Sequence, residues 1–162
     1  MKKIIILFSL AFWCVNSFSS SKLPRQKIYM KGLVKSSVKS NFKVDYLKTF
    51  THQKINVFDP YQEDKLVTFS AFSLCNVFDQ FSIKKAKKLV IVAINDYTRE
   101  FERSSCEKSN IFIAFEESGH FFSADKMGPV RIVKPSNKAI SAAELAKEGV
   151  DWVWMVRDFI FK

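Results

Sequence analysis

The chain has 162 residues, 48% of them hydrophobic and 15% aromatic, with only four glycines and four prolines. This composition excludes a disordered or low-complexity chain, and the length suits one domain with a substantial core. The formal net charge of +10 indicates an anionic partner, but no clustered arginine–aromatic motif accompanies it, so we expect no nucleic-acid partner.

The first residues have the layout of a secretory signal peptide. Lys2 and Lys3 give a positive start, the run 4–15 is almost entirely apolar, and serine-rich sequence follows. The apolar run is too short for a permanent bilayer-spanning helix, which needs about 20 residues. We therefore predict a signal peptide at 1–20 and a periplasmic or secreted protein, with an uncleaved anchor as the alternative. Loss of Lys2 and Lys3 would lower the net charge from +10 to +8.

The remaining chain is predicted to contain an extended lead-in at 21–41, with a first strand at 28–34, and a single domain at 42–162. Hydrophobic spacing and turn residues assign the elements of that domain. In chain order these are a short helix at 42–50, strands at 54–58 and 66–69, a helix at 74–81, strands at 89–94 and 97–101, a hairpin with strands at 111–115 and 120–122, a helix at 139–148, and a final strand at 150–161.

Two of these elements carry the strongest local signals. Ser73 stands where a helix N-cap is expected before 74–81, and the run 89–94 is fully apolar, which is typical of a buried strand. Strands outnumber helices and alternate with them irregularly. The sequence therefore predicts an α+β fold with mixed β-sheets and short helices, and not a regular βαβ succession.

Two cysteines, Cys75 and Cys106, remain once Cys14 is removed with the signal. In an oxidising compartment they could form a disulfide. The alternative is a buried Cys75 on the helix and an unpaired Cys106, which we expect, because nothing in the sequence shows that the two segments meet. With His52 and His120 as the only histidines, we expect no zinc site of the common types.

The densest positive run is Lys84-Lys85-Ala86-Lys87-Lys88, just before the apolar strand. The simplest interpretation is a solvated turn that keeps the strand soluble. The alternative is contact with an anionic partner, such as a membrane surface or an acidic ligand.

Four blocks between residues 66 and 162 carry a family resemblance. The most specific is 123–135, which has an Asp-x-x-Gly-Pro turn and a strand that ends in Pro135. The others are a strand, turn and helix at 66–78, a strand with an Asn-Asp-Tyr turn at 90–97, and an aromatic-led strand at 152–159. Together they resemble the molybdopterin-binding oxidoreductase domain, the sulfite-oxidase-like fold, in its small exported form.

The chain departs from that family at the residues that matter for chemistry. In catalytic members a cysteine thiolate binds molybdenum, but the corresponding stretch 55–60 contains no cysteine, and no arginine-rich phosphate clamp is present. The resemblance therefore implies a degenerate, non-catalytic module that binds an anionic small molecule or an envelope protein. The alternatives are a functional molybdopterin-dependent oxidoreductase and a basic envelope-surface protein that contacts anionic membranes. We expect no cofactor; molybdopterin is implied by the resemblance alone.

The groove that the family uses for its cofactor suggests candidate site residues at two turns and one strand. At both turns, 95–97 and 125–128, the alternative is a purely structural role. In the turn at 125–128, Gly128 would permit the backbone angle. Trp152 and Trp154, two residues apart, are expected to pack in the core, and Glu116, Glu117 and His120 are not expected to be catalytic. No catalytic or metal-ligating residue is predicted. The candidates for binding are Asn95, Asp96, Tyr97, Asp125, Lys126 and Arg131.

Overall fold

The computed structural model describes residues 23–136 and 138–162, so the predicted signal peptide at 1–20 lies outside the described residues. The described chain forms two β-sheets with short helices, and the predicted α+β class with mixed sheets is confirmed. None of the helices in this part of the chain is long and apolar enough to cross a membrane.

The first sheet has five strands in the order β2–β1–β10–β5–β6. It is mixed, because β1 pairs in parallel with β10 and the other pairs are antiparallel. The strands are β1 (Ile28–Gly32), β2 (Asn41–Phe42), β5 (Lys88–Ala93), β6 (Thr98–Glu102) and β10 (Val156–Phe161).

The second sheet is antiparallel, in the order β3–β4–β7–β8, and β9 also pairs with β7. Its strands are β3 (Gln53–Asp59), β4 (Lys65–Ser73), β7 (Phe112–Glu117), β8 (His120–Phe121) and β9 (Arg131–Val133).

The second sheet lies between two hydrophobic clusters. Phe72 and Ile113 join the larger cluster, which also contains first-sheet residues, whereas their strand neighbours Ala71 and Ala114 join a smaller cluster. This follows from the two-residue repeat of a strand, which sends successive side chains to opposite faces. Both faces are therefore buried in the second half of β4 and in the middle of β7.

Helix α1 (Leu74–Phe81) has the bounds that the sequence predicts. The Ser73 hydroxyl accepts a 3.2 Å hydrogen bond from the Asn76 amide, and the apolar face of the helix is buried in the larger cluster. Helix α2 (Ala142–Glu148) begins with a reciprocal capping box between Ser141 and Glu144.

The lead-in segment packs into the same core as the rest of the chain. From residue 28 onward it supplies β1, which pairs with the C-terminal strand β10 inside the first sheet. Strand β1 ends at Gly32, where φ is +77° and an added Cβ would lie 2.1 Å from the carbonyl oxygen of Phe161. Only glycine fits this approach between backbones.

Three local predictions are corrected. The expected helix at 42–50 is β2 followed by a 3-10 helix at Val44–Thr49. The expected strand at 150–161 begins only at Val156, because Gly149–Asp151 is a 3-10 turn and Met155 has φ +49°. A residue at positive φ does not continue a pleated strand.

The third correction concerns the cysteines. Cys75 in α1 and Cys106, directly after the 3-10 turn Arg103–Ser105, form a disulfide with Cα atoms 5.1 Å apart. The expectation of two unpaired thiols is therefore wrong. The pairing depends on a contact between α1 and the 3-10 turn, which local sequence patterns do not report.

Candidate functional site

A fully buried ion pair between Asp59 and Arg131 lies beside the smaller cluster. Nη1 of Arg131 is 2.8 Å from Oδ2 of Asp59, and Nη2 donates a 3.0 Å hydrogen bond to Oδ1. The guanidinium also lies 5.6 Å and 5.5 Å from the ring centres of Phe69 and Phe122. Burial of either charge alone would be strongly unfavourable, so each side chain is the counter-ion that makes burial of the other tolerable.

Asp59 is held by two further donors from the turn that follows β3. The Tyr61 amide donates to Oδ1 at 3.0 Å, and Nε2 of Gln62 donates to Oδ2 at 2.9 Å. Both oxygens of the carboxylate are thus used within the protein. A carboxylate in such a setting serves as an anchor for the turn and for β9, and not as a free base.

Gln62 extends this network to the surface. Nε2 of Gln62 also donates to Oε2 of Glu117 at 3.0 Å. The ammonium of Lys126 donates to Oε1 of Gln62 at 2.6 Å and lies 3.4 Å from Oε1 of Glu117. The network therefore connects Lys126 with Arg131, two of the predicted site residues.

A cavity of about 390 Å³ lies beside the outer end of this network. Asp125 and Lys126 line it together with His120 and Phe121. A hydrogen bond from the Ser123 side chain lowers the pKa of the Asp125 carboxyl. The ammonium of Lys126 already faces Glu117, so this cavity presents little free positive charge to an anion.

Tyr61 joins the buried ion pair to an aromatic cluster. Its ring centre lies 5.7 Å from that of Trp152 and 4.4 Å from that of Trp154, both in edge-to-face geometry. Burial raises the pKa of the Tyr61 hydroxyl, and the charge of Asp59 adds to the increase while Arg131 opposes it. The indole nitrogens of both tryptophans are buried and have no hydrogen-bond partner among the described residues.

A second cavity, of about 410 Å³, lies against these tryptophans, and we call it the tryptophan cavity. Its walls are largely apolar, with polar groups contributed by the turn between β5 and β6. Lining residues include Asn95, Tyr97, Leu145, Val150, Trp152 and Trp154. An apolar hollow with a few polar groups is the usual form of a small-molecule site.

The turn between β5 and β6 is built as the structural alternative describes. Oδ1 of Asn95 accepts a 3.2 Å hydrogen bond from the Tyr97 amide, and Asp96 has φ +63°. Tyr97 crosses to the segment after α2, where its hydroxyl donates to the Val150 carbonyl at 2.8 Å. Asp96 points elsewhere and pairs with Arg157 at 3.1 Å.

The six predicted site residues thus fall into three places. Asn95 and Tyr97 line the tryptophan cavity, and Asp125 and Lys126 line the other one. Arg131 is fully buried and lines neither cavity, because its guanidinium pairs with Asp59, and Asp96 pairs with Arg157. That these residues bind a cofactor or ligand stays a prediction.

The turn at 123–128 uses glycine for a different reason from the one expected. The positive φ, +60°, belongs to Met127 and not to Gly128. A Cβ on Gly128 would lie 2.3 Å from the Phe122 carbonyl oxygen, so glycine is required here for a close approach between two backbone segments.

The residues present do not fit the molybdenum site that the family resemblance implies. Cys75 and Cys106, the cysteines of the described chain, are bonded to each other and offer no thiolate. No group of three or more His, Cys, Asp or Glu side chains in that part of the chain is arranged to hold a metal ion. Arg131 is committed to Asp59, so it is not free to bind a pterin phosphate.

Sequence reasoning missed Asp59, Tyr61 and Gln62, and it considered Glu117 only as a catalytic group. One signal was available for Asp59, because it follows buried Val57 by two residues and so lies on the same face of β3. No comparable signal exists for Gln62, whose partners come from residues far away in the chain.

The sequence matches no protein-family model and no curated protein. Among solved structures, the chain is similar to the sulfane dehydrogenase SoxCD from Paracoccus pantotrophus, with 16% identity and a TM-score of 0.56. The match covers 84% of this chain but only 38% of that chain. At this identity the similarity concerns the fold, which this chain shares in part with an oxidoreductase.

Proposed function

We propose that this protein is an exported, non-catalytic binding module built on the sulfite-oxidase-like fold of molybdopterin-binding oxidoreductases. The fold part of this proposal is supported by the similarity to a sulfane dehydrogenase and by the family resemblance of residues 66–162. The loss of catalysis rests on one observation, the disulfide between Cys75 and Cys106. It removes the thiol groups of the described chain from any role as a molybdenum ligand.

The tryptophan cavity is the binding site in this proposal, and its ligand is a small anionic molecule with an aromatic or apolar body. The apolar walls match such a body, and Asn95 and Tyr97 supply polar groups beside them. The net positive charge of the chain would attract the anion from solution.

The metal-free part of the proposal is tested by the molybdenum and pterin content of the exported protein. We expect a folded protein without molybdenum and without a fluorescent pterin after denaturation. Stoichiometric molybdenum would overturn the proposal and favour the functional oxidoreductase. Molybdenum that persists in the Cys75→Ser/Cys106→Ser variant would have to be bound without these two sulfurs.

The binding site is tested with an anilinonaphthalene sulfonate, an anionic aromatic probe. In a chain that has lost Trp13, Trp152 and Trp154 are the only tryptophans, so their fluorescence reports on the tryptophan cavity alone. We expect quenching by the probe and a roughly tenfold weaker affinity for Tyr97→Ala, which removes one aromatic wall. Tyr29→Ala is the matched control, since Tyr29 has a similar exposed fraction and does not line the cavity. Equal affinity of both variants would refute this placement of the site.

A further inference from the structure

Three separate segments of the chain bring lysines together at one end of the first sheet. Leu33 donates a backbone hydrogen bond to Phe161 at 2.8 Å, and Ile83 donates one to Leu33 at 3.1 Å. The Lys87 and Lys88 amides both donate to the Lys162 carbonyl. We call the resulting surface the lysine edge. It contains Lys35, Lys84, Lys85, Lys87 and Lys162.

The lysines of the edge form no ion pairs in the described chain, although the pKa of Glu100 on β6 is lowered by a hydrogen bond from Lys88 and also by the charge of Lys162. None of the five ammonium groups of the edge lies within ion-pair distance of a carboxylate in the described chain, and neither 30–44 nor 80–95 contains an aspartate or glutamate. The nearest acidic side chain along the chain, Asp79, pairs with Arg103. Seven lysines do form ion pairs, and five of the eleven unpaired lysines of the described chain lie at this edge. Those seven are Lys31, Lys48, Lys65, Lys88, Lys126, Lys134 and Lys138.

An apolar side chain lies within this positive surface. Ile83 is 38% exposed and directly precedes Lys84 and Lys85, and partly buried Leu33 lies next to it through the backbone hydrogen bond. Exposed lysines around an apolar residue are the combination by which peripheral proteins attach to lipid headgroups.

We propose that the lysine edge docks the protein on an anionic lipid surface, with Ile83 inserted among the headgroups. Three of the five lysines, Lys84, Lys85 and Lys87, lie on an exposed turn, and such mobile charges suit a diffuse layer of negative charge better than one small anion that needs a fixed cradle. They also lack the arginines and stacking rings expected at a nucleic-acid surface. The edge and the tryptophan cavity lie at opposite ends of β5, about 17 Å apart along the strand, so a docked protein would keep the cavity open.

The test is cosedimentation of the exported protein with vesicles containing about one-third phosphatidylglycerol in phosphatidylcholine. We expect binding to these vesicles, none to pure phosphatidylcholine, and a steep loss between about 0.05 and 0.5 M salt. The Lys84→Gln/Lys85→Gln/Lys87→Gln variant should bind roughly a hundredfold more weakly, at about fivefold per lysine. Ile83→Ser should weaken binding by about fivefold and leave the salt dependence unchanged.

The matched control removes the same net charge from other faces. Lys27, Lys54 and Lys147 are exposed and outside the ion pairs of the described chain, and their triple change to glutamine should alter vesicle binding by less than about threefold. Equal losses in the two triple variants would overturn the proposal, because only total charge would then matter. Absence of vesicle binding together with tight binding to duplex DNA would also overturn it and make the edge a nucleic-acid surface. Neither result would affect the molybdenum assay or the probe titration.

Discussion

The buried pair of Asp59 and Arg131 should be the most sensitive electrostatic contact in the described chain. Both side chains have zero exposure, and Arg131 packs beside the rings of Phe69 and Phe122. Removal of one member of such a pair leaves an uncompensated charge in the interior, which typically costs about 3–5 kcal/mol of the free energy of unfolding. We expect Asp59→Asn and Arg131→Met to fall in this range.

The two single variants should not be equal. Arg131→Met leaves Asp59 with two donors, the Tyr61 amide and Nε2 of Gln62, so we expect its cost near the lower limit of about 3 kcal/mol. Asp59→Asn leaves a guanidinium that stays charged at all accessible pH values, and its cost should be nearer the upper limit of about 5 kcal/mol. The double variant buries no charge, so its cost should be smaller than the sum of the two by about 2 kcal/mol or more.

The assay is urea unfolding of the oxidised protein, followed by tryptophan fluorescence and by circular dichroism. Agreement between the two signals supports two-state analysis. Lys88→Met is the control, because it removes an exposed cation that pairs with Glu100 and Glu102, and its unfolding midpoint should stay within experimental error. Single variants as mild as this control, or a double variant with an additive cost, would refute the assignment of Asp59 and Arg131 as mutually dependent charges.

Three further predictions concern the disulfide, two glycines at positive φ, and the capping glutamate of α2. The Cys75→Ser/Cys106→Ser variant opens a loop with a sequence separation of 31. In the same urea assay its free energy of unfolding should be lower by about 3–4 kcal/mol. An unchanged value would mean that the disulfide does not form. Gly32→Ala should lower the free energy of unfolding clearly more than Gly119→Ala. Both glycines have positive φ, but only the Cβ at position 32 would meet a backbone atom, at 2.1 Å. In calorimetry Gly119→Ala should show the cost of the backbone conformation alone, about 1–2 kcal/mol, and equal effects would contradict the close approach. The Glu144 pKa is lowered by hydrogen bonds from the Ser141 side chain and backbone, so the stabilisation of α2 is present above the ordinary value of 4.5 and is lost as pH falls below it through the folded-state pKa. Amide exchange of α2 should therefore accelerate in acid, while Glu144→Gln should show no such pH response, and an identical response would exclude Glu144 as the titrating group.

Local signals predicted those parts of the fold that depend on neighbours in sequence. Helix α1 was found to the residue because Ser73 caps it and four apolar residues share one face. The start of β10 was misplaced because the apolar pattern of 150–161 does not reveal the positive φ of Met155. The disulfide was missed because it joins α1 to a turn that is 31 residues away.

In the candidate site, too, the sequence predicted what depends on neighbouring residues and missed contacts between distant segments. The Asn95–Tyr97 turn could be predicted from its own residues, but the cavity beside it also needs α2 and the tryptophan segment, which come some 50 residues later. Arg131 was selected because of a family resemblance, yet its partner Asp59 lies 72 residues earlier. Both are polar residues on the buried face of a short strand, and a search of the sequence for pairs of such positions would link them.

Several of the potentially reactive side chains in the described chain are bonded to or paired with one another. Cys75 is bonded to Cys106, Arg131 neutralises Asp59, and the buried Glu116 carboxylate lies 2.5 Å from the ammonium of Lys48. A reacting group needs a side chain that is free to change its charge or its bonding partner, and these are held in place by contacts that would be lost if they did. The exposed lysines of the lysine edge, by contrast, form no ion pair in the described chain. The tryptophan cavity and the lysine edge, the two contacts of our proposals, lie at opposite ends of β5.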